Sequence, residues 1–162
     1  MNRLLVALFA ALSLSTAMAD TDAVGQVGPE LRQVSSFKLD MPFVRRLAAA
    51  TTEVLGYEEA HPDDAPKIEG FPDDDTDTLD RRVVRVGKLP EVMAALKKHG
   101  LTAQDYVVGG MALMQARGAA VTVKAEGDDA WANLTKRGIN TDNVRLYMAN
   151  QTEIDGLFGP SM

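Results

Sequence analysis

Asp73, Asp75 and Asp77, in the stretch DDDTDTLD at 73–80, alternate with the spacing at which a loop offers oxygen ligands to calcium. Read as a calcium loop between two helices, the stretch puts Thr78 where the sharp-turn glycine belongs and Val84 where the bidentate glutamate belongs. Aspartates clustered before a helix are also favoured without a metal, because the exposed N–H groups of a helix N-terminus attract negative charge. Softer chemistry is open to Met93, His99, Met111 and Met114: thioether and imidazole suit Cu(I), and a Met/His pair can hold a non-covalent haem inside a helical bundle. The plainer reading is that methionine fills irregular cores and that a histidine at a helix C-terminus answers the dipole. No metal and no cofactor is assigned, and a metal, haem or small-ligand carrier stands as the alternative function.

Catalysis has little to draw on. The chain holds no cysteine, and its histidines are His61 and His99. A serine triad would have to take its histidine from an acidic, proline-flanked stretch or from a helix end, and no nucleophile-elbow sequence accompanies either. The H-E-x-x-H spacing of a zinc hydrolase is absent. A carboxylate-dependent hydrolase is the remaining enzymatic reading, and it requires two carboxylates held about 5–9 Å apart across a cleft, which chain order does not reveal.

The stretch LTAQDYVVGGMALMQARGAA at 101–120 carries the third candidate. Gly109, Gly110, Met111 and Met114 could line a ligand cleft, or they could be the middle of a core. At 100° per residue Gly109, Ala112, Ala116, Ala119 and Ala120 share one arc, while Val107, Met111, Met114 and Val121 share another. A small-residue stripe lets a neighbouring helix come close, and apolar residues opposite it imply a second layer. Core packing is favoured, with Gly109 and Ala112 against another helix and Met111 and Met114 buried, because no convergent polar groups accompany the helix.

The elements that must position these residues are helical. Asp40 as N-cap, Pro42 in the first turn and Gly56 as a stop predict a helix over about 41–55, with Val44, Leu47, Thr51 and Val54 on its inner face. Thr76 or Thr78 starts a helix to Val86, Pro90 opens another that stops at Gly100, and T-x-x-D at Thr102 caps the central one. Asp128 caps a short helix, and Asn140 caps the last, with Tyr147, Met148 and Ile154 inward. The expected fold is all-α, an irregular bundle of about five or six helices around one central helix at about 103–117, extending to 125 if the chain does not break at Gly118.

In the opening stretch MNRLLVALFAALSLSTAMAD, residues 1–19 read as a bacterial secretory signal: Arg3 is their sole charged side chain, the apolar run is Leu4 to Leu14, and Ala17 and Ala19 occupy the cleavage positions. A flexible arm is expected at 20–36, loose or holding one short helix at PELRQV that depends on docking, followed by a single helical domain at 37–162 with an acidic loop at 57–76. No later stretch offers the roughly 20 apolar residues of a membrane helix. The formal net charge of −6 disfavours nucleic-acid binding. Charge is partitioned: residues 20–80 carry 15 acidic and 5 basic side chains, residues 81–162 carry 8 and 11. Asp63, Asp64, Asp73, Asp74, Asp75 and Asp77 are the candidate contact residues for a basic protein partner.

FKLDMPFVRRLAAA, LPEVMAALKKHGLTAQDYVVGGMALMQA and INTDNVRLYMANQTEI together resemble a group of small, exported, helical bacterial proteins of uncharacterised function. The shared features are an apolar helix opening L-T-x-x-[DE]-Y-V, here Leu101 to Val107, and a later N-x-x-N-V helix, here Asn140 to Val144. The resemblance implies an exported helical protein and supplies no activity. The functional expectation is a periplasmic or secreted protein that acts non-catalytically, in an accessory or inhibitor-like role, by binding a partner protein or a small ligand.

Overall fold

The structure is a computed structural model that describes residues 28–61 and 78–158. Residues 1–19, expected to be a secretory signal, and the six acidic candidates Asp63, Asp64, Asp73, Asp74, Asp75 and Asp77 lie outside those residues. The described chain is all-helical: α1 (Pro29–Ser36), α2 (Met41–Ala60), α3 (Leu79–Val86), α4 (Pro90–Lys98), a π-helical turn (Asp105–Gly109) running straight into α5 (Gly110–Glu126), α6 (Asp129–Lys136), α7 (Thr141–Ala149) and α8 (Gln151–Phe158). That is eight α-helices among the described residues where about five or six were expected. No helix among them is long and apolar enough to cross a membrane.

Local chemistry accounts for most boundaries. Asp40 accepts a hydrogen bond from Phe43 N at 2.6 Å, and Thr78 Oγ1 accepts one from Arg81 N at 3.3 Å. Thr102 and Asp105 form a reciprocal cap: Asp105 N donates to Thr102 Oγ1 at 3.0 Å and Thr102 N to Asp105 Oδ2 at 2.9 Å. Gly100 and Gly138 end α4 and α6 in the left-handed region, at φ 66° and 71°. Each is followed by the same pair of bonds, Leu101 N to Leu96 O with Gly100 N to Lys97 O, and Ile139 N to Leu134 O with Gly138 N to Thr135 O.

Four boundaries differ from expectation. Gly56 does not stop α2, which continues to Ala60; the stop is His61, whose φ −132° and ψ 66° leave the helical region while its N–H still reaches Tyr57 O and Glu58 O. The acidic stretch therefore begins after Ala60 rather than at 57. Residues 29–36 of the expected flexible arm form α1, which is docked: Val34 is buried, Glu30 Oε1 accepts from Leu79 N at 2.9 Å, and Ser35 Oγ donates to Gly138 O. The last helix divides at Asn150, whose Nδ2 turns back onto Leu146 O at 2.8 Å. Asp128 precedes α6 but makes no side-chain cap.

One core runs through the described helices. α5 packs on α7, α6 and α1; α2 packs on α4 and α8; α3 and α1 lie against the π-helical turn. Leu96, Leu113, Leu134, Val44, Val108 and Val144 are its largest fully buried side chains. α5 does not break at Gly118 and ends at Gly127.

Candidate functional site

Thr51 and Glu58 sit seven residues apart on α2, two turns along one face, and both point inward at 6% and 8% exposure. Opposite them the π-helical turn brings in Tyr106, at 9% exposure. Of the polar side chains buried in the described core, these are the ones that converge. The Tyr106 and Thr51 hydroxyl oxygens have no hydrogen-bond partner, although each is shut off from solvent. A buried polar group left unsatisfied costs about 1–3 kcal/mol, so hydrophobic stability alone would not place them here. Inserted π-turns recur at functional sites, and this one carries the tyrosine.

Burial pushes the Tyr106 phenol up from its ordinary 10.0 to about 12, and the negative charge of Glu58 adds to the rise. The Thr51 hydroxyl opposes the rise as a hydrogen-bonding neighbour, although the pair falls outside good hydrogen-bond geometry. The raised value means the neutral phenol is the form the fold favours. Its contribution is complete below pH 10.0 and is lost as the pH rises through about 12. About 2–3 kcal/mol of stability should disappear across that window. Alkaline unfolding followed by circular dichroism, with tyrosine ionisation read at 295 nm, checks it: Tyr106→Phe should flatten the loss between pH 10 and 12.

The cleft proposed for the central helix is filled. A Cβ built on Gly109 would lie 2.3 Å from Phe43 Cζ, 2.8 Å from Phe43 Cε1 and 3.0 Å from Phe37 Cζ, so two aromatic rings occupy the space a cleft would need. Gly110 and Ala112 are buried, as are Ala116, Ala119 and Ala120, and the small stripe is a packing face. The other arc departs from expectation. Met111 and Met114 are half-buried, and Val121 is 65% exposed. The second layer is incomplete because Leu113 and Val108, on the small side, supply the large buried volume, leaving the methionines at the margin.

The other candidate residues are engaged in structural pairs. His99 Nε2 lies 3.1 Å from Glu53 Oε2, and Lys98 Nζ lies 2.8 Å from the same oxygen. Hydrogen bonds from Lys98 and His99 hold the Glu53 carboxyl below its ordinary value. Met93 packs against the core from α4. His61 is exposed and stacks on Tyr57, with ring centroids 4.2 Å apart. Among the described residues no group of three or more His, Asp or Glu is placed to hold a metal ion.

Two polar networks bind the bundle together. Asn143, 3% exposed, accepts from Leu39 N at 3.0 Å and donates to Phe37 O at 2.8 Å. Asn140 caps α7 through Asp142 N and Asn143 N and donates to Ser35 O at 2.8 Å. The N-x-x-N-V segment is thus a clamp on the strand-like link between α1 and α2. One turn further along α7, Tyr147 Oη donates to Asp155 Oδ1 at 2.7 Å, and Gln151 Nε2 donates to Asp155 Oδ2 at 3.1 Å. Partial burial raises the Asp155 carboxyl, but those two hydrogen bonds and the charges of Arg117 and Lys124 outweigh it and hold it low.

No protein family, curated protein or solved structure matches this chain. The site therefore stands on geometry. Sequence reasoning placed Thr51 on the inner face of α2, but it assigned Glu58 to a loop and Tyr106 to no role. The available signal was the i, i+7 relation of Thr51 and Glu58, which becomes visible only once the helix is allowed to run through Gly56.

Proposed function

We propose that this protein is an exported, non-catalytic accessory or inhibitor-like protein that binds a partner with a basic surface through its acidic stretch. The observation that carries the reading is the partition of charge, 15 acidic against 5 basic side chains over residues 20–80. The described scaffold suits that role: the stretch 62–77 leaves from the end of α2 and returns at Thr78, where α3 is capped both by Thr78 and by Glu30 of α1. A segment held at both ends on packed helices loses less freedom on binding than a free tail. Export is supported by the pattern of residues 1–19, one basic residue followed by an apolar run and small residues at 17 and 19. The non-catalytic reading is supported by the structural pairing of Glu53, Asp155 and Glu153 with Lys98, Tyr147 and Arg45 respectively.

The test is retention of exported proteins on the immobilised chain from Asp20 onward, compared with a variant in which Asp63, Asp64, Asp73, Asp74, Asp75 and Asp77 are all asparagine. Proteins retained at about 0.05 M salt should elute by about 0.5 M, because the Debye length falls severalfold over that range. The asparagine variant should retain none of them. Equal retention by the two forms would remove the acidic stretch as the contact.

A further inference from the structure

We propose that the outer face of α5 is the contact surface for a second copy of this chain, packed antiparallel about a two-fold axis beside position 116. Met111, Met114, Gly118, Val121 and Ala125 recur at spacings of three, four, three and four residues, so at 100° per residue they share one arc of about 80°. This is the apolar repeat with which one helix packs along another. Within its own subunit the arc is uncovered. Met111 and Met114 are half-buried, Gly118 and Ala125 are exposed, and Val121 is 65% exposed. Nothing lies within 4 Å of a Cβ placed on Gly118. Other helices turn charge to the outside, α2 through Arg45 and Arg46 and α4 through Glu91, Lys97 and Lys98. The outer arc of α5 carries none.

The size pattern selects the occupant. The seam pairs with its own reverse: Met114 meets Gly118 and Met111 meets Val121, since both pairs are centred on position 116. Each long side chain therefore faces a glycine or a shorter side chain, and a two-fold pair makes both contacts twice. A glycine in the seam also lets the helix axes approach to the near end of the usual range of about 8–10 Å. No charge on the arc calls for a partner of opposite sign. The basic residues at its border are met within the subunit: Lys124 Nζ donates to Gln151 Oε1, and the charge of Arg117 acts on Asp155. The inner side of α5 is already packed, with Leu113, Ala116, Ala120 and Val123 buried. A second copy supplies the layer that the apolar residues of the outer arc imply and one copy lacks. This surface is separate from the acidic stretch, and either reading can fail alone. Their salt dependences are opposite, because copies of like net charge associate through an apolar seam more tightly as salt rises.

The experiment is sedimentation velocity on the chain from Asp20 onward, from about 10 μM to 1 mM protein and at about 0.05 M and 0.5 M salt. The chain should form a dimer whose dissociation constant falls as salt rises. Val121→Glu should raise that constant by at least about 10-fold, because each copy then buries a carboxylate in the seam. The site is exposed, so the variant should keep the circular dichroism and melting curve of the parent. The chain has no cysteine, which lets single-cysteine variants read the orientation. An equimolar mixture of Met111→Cys and Val121→Cys should form the mixed disulfide on oxidation. Val121→Cys alone should form none, because its two copies would stand about 15 Å apart along the helices. A monomer at every concentration overturns the proposal. So does a dimer that salt dissolves, one that Val121→Glu leaves intact, or one in which Val121→Cys links to itself.

Discussion

Gly109→Ala is expected to destabilise the protein by about 1–3 kcal/mol, the usual cost of overpacking a core, even though alanine is the better helix former by about 1 kcal/mol. The new methyl would stand 2.3 Å and 2.8 Å from two atoms of Phe43 and 3.0 Å from Phe37. A ring end can often swing away cheaply, but these two rings block each other, with centroids 5.0 Å apart and planes tilted by 57°. Phe43 is also buried at 6% exposure, so the motion must be passed to α2. Denaturant midpoints measure the loss. Adding Phe43→Leu should recover part of it, giving a double-mutant cycle in which the pair costs less than the sum. Gly118 supplies the control, since nothing lies within 4 Å of its position and it is exposed. Alanine there should be neutral or stabilising. If Gly109→Ala behaved like that control, the close packing of Phe43 on the π-turn would be wrong.

Asn143→Ala should cost more, about 2–4 kcal/mol, because Leu39 N loses its side-chain acceptor and Phe37 O is left with only the longer bond from Asn140 Nδ2 at 3.4 Å. Leu39 N and Phe37 O each lose a hydrogen bond, of 3.0 Å and 2.8 Å. The first of these bonds fastens the link between α1 and α2 at Leu39, which is itself core at 9% exposure. Asn143→Asp is the sharper variant: it keeps an acceptor for Leu39 N but places a carboxylate against Phe37 O, so it should be destabilising at neutral pH and partly recover as the carboxyl protonates. Hydrogen exchange at the Leu39 amide, together with the midpoint shift, reads the effect. Wild-type protection of that amide in Asn143→Ala would show that the clamp contributes nothing.

The legible parts of this protein are the ones set by neighbours in sequence. Asp40, Thr78, Thr102 with Asp105, and Asn140 each cap the helix they were expected to cap, because a side-chain oxygen reaching the N–H two or three residues on is a local event. The small stripe of the central helix reads correctly as a packing face, since close approach needs only the absence of side chains. Gly56 misled because a glycine inside a helix costs only about 1 kcal/mol, which the burial of Leu47, Ala50 and Val54 on the same helix outweighs once α4 and α8 pack on it. Residues 29–36, expected as a loose arm or one short helix, form a docked helix whose order was out of reach for a related reason. Its anchors, Leu79 N, Gly138 O and Asn140, come from 49 to more than 100 residues away.

By itself the sequence determined that this chain is helical, where most of the helices begin, and how its charge is divided, all of which follow from residue type and short-range spacing. Only the tertiary structure decided that Asn143 clamps the α1–α2 link, that Phe43 and Phe37 fill the space at Gly109, and that Thr51, Glu58 and Tyr106 meet in the core. The physical reason is that desolvation and contact depend on what the fold brings from far along the chain. A hydroxyl on a helix is unremarkable until a second element closes over it and removes its water.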